Sequence, residues 1–213
     1  MRTLFKVVIA LVAIGVLAVL FVRSARSTGS EPFTIARQDL TGWTLTLAPD
    51  GDSVGSLLSL TPKQTLLPPL SRSLFARMGE SLHYPQAGMA IVLRTEFQHA
   101  MAGAVAPEAL LTAARDAGLE SAMPRPECMA RRRISSPGIT RDVFFVVFEM
   151  PVFSQFREQV AQQLRAAGRD PSLFDPAALS PVLIAADLDG TFSSWQPLRA
   201  DPPNDCFAPV VVQ

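Results

Sequence analysis

The sequence lacks the motifs that mark the common enzyme classes. Its 213 residues contain no G-x-S-x-G, S-x-x-K or H-E-x-x-H motif and no glycine-rich phosphate-binding loop. Neither of the two cysteines belongs to a CxxC pair, and no cysteine and histidine spacing suits zinc or an iron–sulfur cluster. We therefore expect a non-catalytic protein without a cofactor.

An excess of charge is also missing. The formal net charge is zero, and lysine occurs only as Lys6 and Lys63 among 19 basic residues. A protein without a global basic bias has no electrostatic reason to bind nucleic acid, so no nucleic-acid partner is predicted. The preference for arginine, with much alanine and proline, is typical of a GC-rich bacterial genome.

The longest apolar run lies at the N-terminus. Residues 4–22 are apolar apart from Lys6, which is about the length that crosses a bilayer as a helix. Arg23 and Arg26 follow directly, so the pattern predicts an uncleaved transmembrane signal-anchor in residues 1–27. The membrane would be contacted through residues 4–22, with the C-terminal domain periplasmic on a single-pass inner-membrane protein. The alternative is secretion to the periplasm after cleavage near Ser27.

The exported part divides into two predicted regions. Residues 28–87 read as a linker, a β-hairpin with turn letters at 49–52, and a short helix at 71–82, all packing on a core. Residues 88–213 contain four strand patterns and two helix patterns, followed by a tail. The strands are predicted at 89–97, 128–135, 141–150 and 181–187, and the helices at 107–119 and 153–168.

The order of these elements is β-α-β-β-α-β. With a tight hairpin at 136–138, that order is typical of an α+β, ferredoxin-like sandwich, in which two helices cover one face of an antiparallel sheet. The first and third strands would be central. We therefore predict an N-terminal transmembrane helix followed by a ferredoxin-like domain with an additional N-terminal hairpin.

The third predicted strand is apolar on both faces. Phe144, Val146 and Phe148 alternate with a second apolar set, Val143, Phe145 and Val147. A strand of this kind is usually buried on both sides, so something must cover the second set. The candidates are the preceding hairpin and a partner protein, and the second set is therefore a possible interaction face.

The predicted topology also brings the cysteines together. Cys128 opens the second strand, and Cys206 lies 19 residues beyond the end of the fourth strand, at the same pole of the sheet. In an oxidising compartment this placement favours a Cys128–Cys206 disulfide, which stays a hypothesis at the level of sequence.

A stretch near the C-terminus, LIAADLDGTFSSW, resembles the nucleophile motif of haloacid-dehalogenase-type phosphatases. The resemblance implies Asp187 as nucleophile, Asp189 as acid–base and Thr191 beside the phosphate, with magnesium between the carboxylates. It covers about ten residues, and the 22 residues after Thr191 contain no lysine to steady a phosphate. We therefore reject the phosphatase interpretation and predict the end of a strand and an Asp-Gly turn.

Two further groups of residues are candidate binding sites. Arg131, Arg132 and Arg133, with Arg125 and Arg141 nearby, could bind an anion. Strand alternation separates Arg132 from the other two, which favours charges that protect an edge strand. His83 and His99, with methionines close in sequence, suggest copper binding, although surface histidines are the commoner case.

The leading functional hypothesis is a bacterial, membrane-anchored periplasmic domain that acts by protein binding. It would serve as a subunit or assembly factor of an envelope complex. The alternative is a periplasmic module that binds a small molecule or a metal such as copper.

Overall fold

The computed structural model describes residues 31–48, 55–79, 82–83, 88–136, 139–187 and 198–213. Within them the strands are β1 (Phe33–Ile35), β2 (Thr44–Leu47), β3 (Ser56–Thr61), β4 (Met89–Leu93), β5 (Arg125–Ser136), β6 (Ile139–Glu149), β7 (Val182–Asp187) and β8 (Cys206–Val212). The α-helices are α1 (Leu67–Met78), α2 (Arg94–Glu96), α3 (Pro107–Asp116), α4 (Pro151–Ala166) and α5 (Pro202–Asp205). A π-helix, Phe97–Met101, continues α2.

Two sheets form the framework. Five strands lie in the order β1-β8-β5-β6-β7, and the remaining three lie in the order β2-β3-β4. The larger sheet is mixed because β1 runs parallel to β8, whereas the other pairs in it are antiparallel. The described fold is therefore α+β with one mixed and one antiparallel sheet.

The main core lies between these sheets and the helices. On one face of β6, Phe144, Val146 and Phe148 belong to this core. They are joined there by buried residues of many elements, including Phe33 of β1 and Val210 of β8. Trp43, just before β2, packs edge-to-face on Phe148 with ring centroids 5.6 Å apart. The hairpin region therefore covers the same face of the large sheet as the helices do.

Helix α4, the longest described helix, follows from its apolar spacing. Phe153, Phe156, Val160 and Leu164 recur along α4 and are all buried, which confirms the helix predicted at 153–168. Pro107 and Pro151 stand at the first positions of α3 and α4, where the missing N–H has no partner to lose.

The ferredoxin-like prediction is wrong. It placed the strand that starts at Met89 in the centre of the large sheet, but β4 pairs with β3 in the smaller sheet. The place beside β6 belongs to β7, and β8 takes the other side of β5. The prediction used the apolar character of both faces of β4 and β6, which requires burial on both sides. Burial does not determine which strands pair, because a strand can be buried on both faces in either of the two sheets.

The predicted transmembrane helix is not found either. Among the described residues, no helix is long and apolar enough to cross a membrane. Residues 4–22, on which that prediction depended, lie outside the described residues. The same is true of the turn predicted at 49–52 and of residues 137–138 in the turn predicted at 136–138.

A β-bulge in β7 changes which face its side chains occupy. Phe144 pairs with Ala186 and Phe145 pairs with Ile184, so Ala185 is the extra residue. The carbonyl of Ala185 accepts a hydrogen bond of 2.8 Å from the Ser71 hydroxyl of α1. The bulge places Ala186 in the main core, whereas simple alternation predicts it beside Ile184.

Candidate functional site

The second face of the large sheet carries a small apolar cluster of its own. Val143, Phe145 and Val147, the possible interaction face, are 0%, 0% and 3% exposed. They pack with Cys128, Ala130, Ile184 and Leu198. Leu198 belongs to the chain that returns towards β8, so this face is covered from within the chain and is not a free surface. This cover was not predicted: the hairpin, one of the two predicted covers, packs on the opposite face.

The returning segment, residues 198–206, is fastened at several points. The backbone N–H of Ala200 donates to the Ser180 hydroxyl at 3.0 Å. Arg132 donates to the Asp205 carboxylate and, at 2.7 Å, to the Arg199 carbonyl. The structure joins Cys128 to Cys206 in a disulfide, with Cα atoms 5.8 Å apart. The disulfide links β5 to the first residue of β8 and holds the segment against the second face.

A two-stranded projection extends from one end of the large sheet. Strand β8 pairs with β5 over Cys128, Met129 and Ala130, and β7 pairs with β6 from Val143 onwards. Beyond the end of β8, Arg131 and Arg132 still pair with Phe144 and Val143 of β6, and residues 133–136 pair with residues 139–142. No other described strand pairs with residues 131–136 or 139–142, and we call these two stretches the ribbon. The sequence predicted the hairpin but not that it extends past the strands on both sides.

The ribbon carries the three consecutive arginines. Arg131 and Arg133 lie on one face, and both contact the carboxylate of Asp142, whereas Arg132 lies on the other face and contacts Asp205. The separation predicted from strand alternation is therefore confirmed. The edge-strand interpretation is wrong for the first part of β5, which has a neighbour on each side, and agrees with the pairing in the ribbon.

The geometry around Asp142 is specific. Arg133 donates to both of its oxygens at 3.0 Å, and Arg131 donates at 2.6 Å. The Asp142 side chain is 7% exposed, but those of Arg131 and Arg133 are 44% and 63% exposed. The hydrogen bonds from Arg133 are the largest cause that lowers the pKa of Asp142 to about 2, against the effect of burial, with Arg131 adding to the lowering. The carboxylate stays charged at any physiological pH, and two guanidinium groups share it.

The second charged cluster is buried and structural. Arg157 is fully buried on α4, where it donates to both oxygens of Glu96 and to the carbonyls of Ile91, Asp175 and Pro176. All five of its N–H donors therefore have acceptors. Sequence reasoning missed this pair, although Arg157 stands four residues after Phe153 on the apolar stripe of α4, where a charged residue needs a buried partner.

The remaining candidate residues do not come together. His83 and His99 are exposed, and the backbone of His83 exchanges two hydrogen bonds with Asp187. In the described part of the chain, no group of three or more His, Cys, Asp and Glu side chains is arranged to hold a metal ion. Asp187 is buried at the end of β7, whereas Asp189 and Thr191 lie outside the described residues. Arg125, predicted beside the arginine run, lies at the other end of β5 and pairs with Glu149.

A cavity of about 170 Å³ lies between α4 and residues 170–176. Its charged lining is already engaged, since Arg165 contacts Glu158 at 2.9 Å. The Asp170 carboxylate accepts the N–H of Ser172, and this hydrogen bond lowers the pKa of Asp170. The cavity therefore presents little unpaired polarity to a small molecule.

No family model matches this chain, and no curated protein or solved structure matches it significantly. The functional argument therefore depends on the geometry of this α+β chain itself. One exposed feature of it is the Arg131–Asp142–Arg133 cluster on the ribbon, in which both arginine side chains are substantially exposed.

Proposed function

We propose that this protein acts without catalysis, by binding a protein partner through the ribbon. The observation that carries the proposal is the projection of residues 131–136 and 139–142 beyond the strands on both sides. A paired ribbon keeps its backbone hydrogen bonds while it extends from the sheet, and it presents side chains on two faces to a second molecule.

We further propose that the partner belongs to an envelope complex in the bacterial periplasm, in which this chain is a subunit or an assembly factor. The Cys128–Cys206 pair supports an oxidising compartment, because disulfides persist there and are rare in the cytosol. Mobility shift after alkylation of protein taken directly from cells tests this part of the proposal. Two alkylated thiols in untreated cells would contradict it.

Photo-crosslinking tests the role of the ribbon. A photoreactive amino acid replaces Ser136 at the end of the ribbon in the full chain, expressed in its native cells. The matched control carries the same group at Met123, which is exposed and lies just before β5, at the opposite end of that strand. We expect one discrete crosslinked species, identified by mass spectrometry, from position 136 and its absence from position 123. Absence of a species at position 136, or the same species at both positions, would refute the proposal.

A further inference from the structure

The arginine pair of the ribbon has more binding capacity than the protein uses. Each guanidinium group has five N–H donors, of which Arg131 donates one to Asp142 and Arg133 donates two. Both side chains are substantially exposed, so the unused donors face solvent. Two guanidinium groups and one carboxylate leave a net charge of +1 on this face of the ribbon.

Asp142 holds the two guanidinium groups in place. Its pKa of about 2 keeps it charged, and it contacts Arg133 through two parallel hydrogen bonds. The guanidinium group of Arg131 also stands 5.7 Å from the centre of the Phe144 ring. A guanidinium group that is already oriented loses less rotational freedom when it binds a ligand, which favours binding.

We infer that Arg131 and Arg133 form a carboxylate-binding clamp, which receives an Asp or Glu side chain from an acidic segment of the partner protein. The inference rests on the proposed function and names the chemistry of that same surface. Planar guanidinium groups match carboxylates through paired hydrogen bonds, and the net charge of +1 attracts one further anion.

The charge of the whole chain favours an acidic protein segment over nucleic acid. Residues 28–213 carry a net charge of about −4, since residues 1–27 hold four of the 19 basic residues and none of the 19 acidic ones. A chain with this balance repels a long polyanion, whereas a few carboxylates can reach a local positive site. Phe144 beneath Arg131 is 2% exposed, so it offers no platform on which bases could stack.

Fluorescence anisotropy with a labelled hexaglutamate peptide tests the clamp at low ionic strength. We expect the full chain to bind it, and the Arg131→Gln/Arg133→Gln variant to bind at least tenfold more weakly. Arg165→Gln is the matched control, because Arg165 is 51% exposed and pairs with a single glutamate away from the ribbon. It should leave the affinity within twofold. Arg131→Lys/Arg133→Lys keeps the charge but loses the paired donors, and should also weaken binding.

The outcomes separate the clamp from the proposed function. No binding by the unmodified chain, equal loss in Arg165→Gln, or tighter binding of a single-stranded DNA of the same charge would overturn the clamp. Should the double variant unfold by circular dichroism, Arg133→Gln alone serves, since Arg133 is the more exposed of the two. Persistence of the crosslink at position 136 in the double variant would refute the clamp and leave partner binding intact. Absence of the crosslink at position 136 in the chain that keeps Arg131 and Arg133 would refute partner binding through the ribbon.

Discussion

Replacing Arg157 by methionine should cause one of the largest losses of stability available in this chain. Arg157 is fully buried, and the Glu96 carboxylate that it contacts at 2.6 Å is 11% exposed. The substitution leaves that carboxylate without its counter-charge and removes the Arg157 hydrogen bonds to the carbonyls of Ile91, Asp175 and Pro176. Removing one partner of a buried ion pair costs about 3–5 kcal/mol, so we expect a loss of that size.

Urea-induced unfolding, followed by circular dichroism, measures this loss as a shift in the midpoint at constant slope. Arg165→Met is the matched control on the same helix, because Arg165 and its partner Glu158 are both about half exposed. Exposed ion pairs contribute about 0–1 kcal/mol, so the control should change the free energy of unfolding by less than about 1 kcal/mol.

A second variant separates the uncompensated charge from the lost packing. Adding Glu96→Gln to Arg157→Met removes the buried negative charge but keeps an oxygen that can accept the N–H of Leu93. The double variant should therefore be more stable than Arg157→Met by about 1–2 kcal/mol. A loss below about 1 kcal/mol in Arg157→Met, or no recovery in the double variant, would refute the assignment of a buried, fully paired arginine.

Three further perturbations have expected results. The pKa of Asp142 lies below its ordinary value, so its contribution of about 2 kcal/mol to the free energy of unfolding is present above pH 4 and is lost as the pH falls to about 2. The free energy of unfolding of Asp142→Asn, measured in urea, should therefore depend less on pH across this window. Reducing the Cys128–Cys206 disulfide opens a loop with a sequence separation of 78, which should lower stability by about 4.5 kcal/mol in the chain-entropy model. Urea unfolding with and without dithiothreitol measures this loss, and an unchanged midpoint would argue against the bond. Ile184→Lys buries a charge without a partner in the second cluster and should abolish cooperative thermal unfolding, whereas a normal transition would contradict the burial described for Ile184.

The sequence predicted the local elements better than their pairing. The apolar spacing of α4 and the two-sided apolar character of β6 each follow from short stretches, and both match the structure. Strand pairing depends on which distant strand lies beside a given strand in the folded chain. No residue pattern within β4 indicates that its neighbour is β3. The same difficulty applies to β7, where the bulge at Ala185 shifts Ala186 to the main core without any glycine or proline to indicate it.

Strands β1 and β8 were missed for identifiable reasons. β1 has three residues, too few to show an alternating pattern. β8 contains Pro209, which argues against an interior strand because proline cannot donate to a neighbour. The structure places β8 between β1 and β5, with Pro209 opposite Cys128. The valines that follow Pro209 were the available signal for a strand.

The candidate site was partly visible in the sequence. Alternation alone separated Arg132 from Arg131 and Arg133, and the hairpin between β5 and β6 was expected. What could not be read is that Asp142 faces both Arg131 and Arg133, because that contact depends on the register of the hairpin. A shift by one residue would move Asp142 to the opposite face and leave the arginines unpaired.

Because β8 runs antiparallel to β5, the C-terminal residue and the ribbon lie at opposite ends of the large sheet. Gln213 follows β8 and therefore lies near the end of the sheet where β5 begins, while the ribbon lies at the end where β5 finishes. The 12 residues of β5 span about 35 Å, given the rise per residue of a strand. A protein immobilised through a C-terminal tag would thus be oriented with its arginine-bearing ribbon directed away from the support and open to a partner in solution.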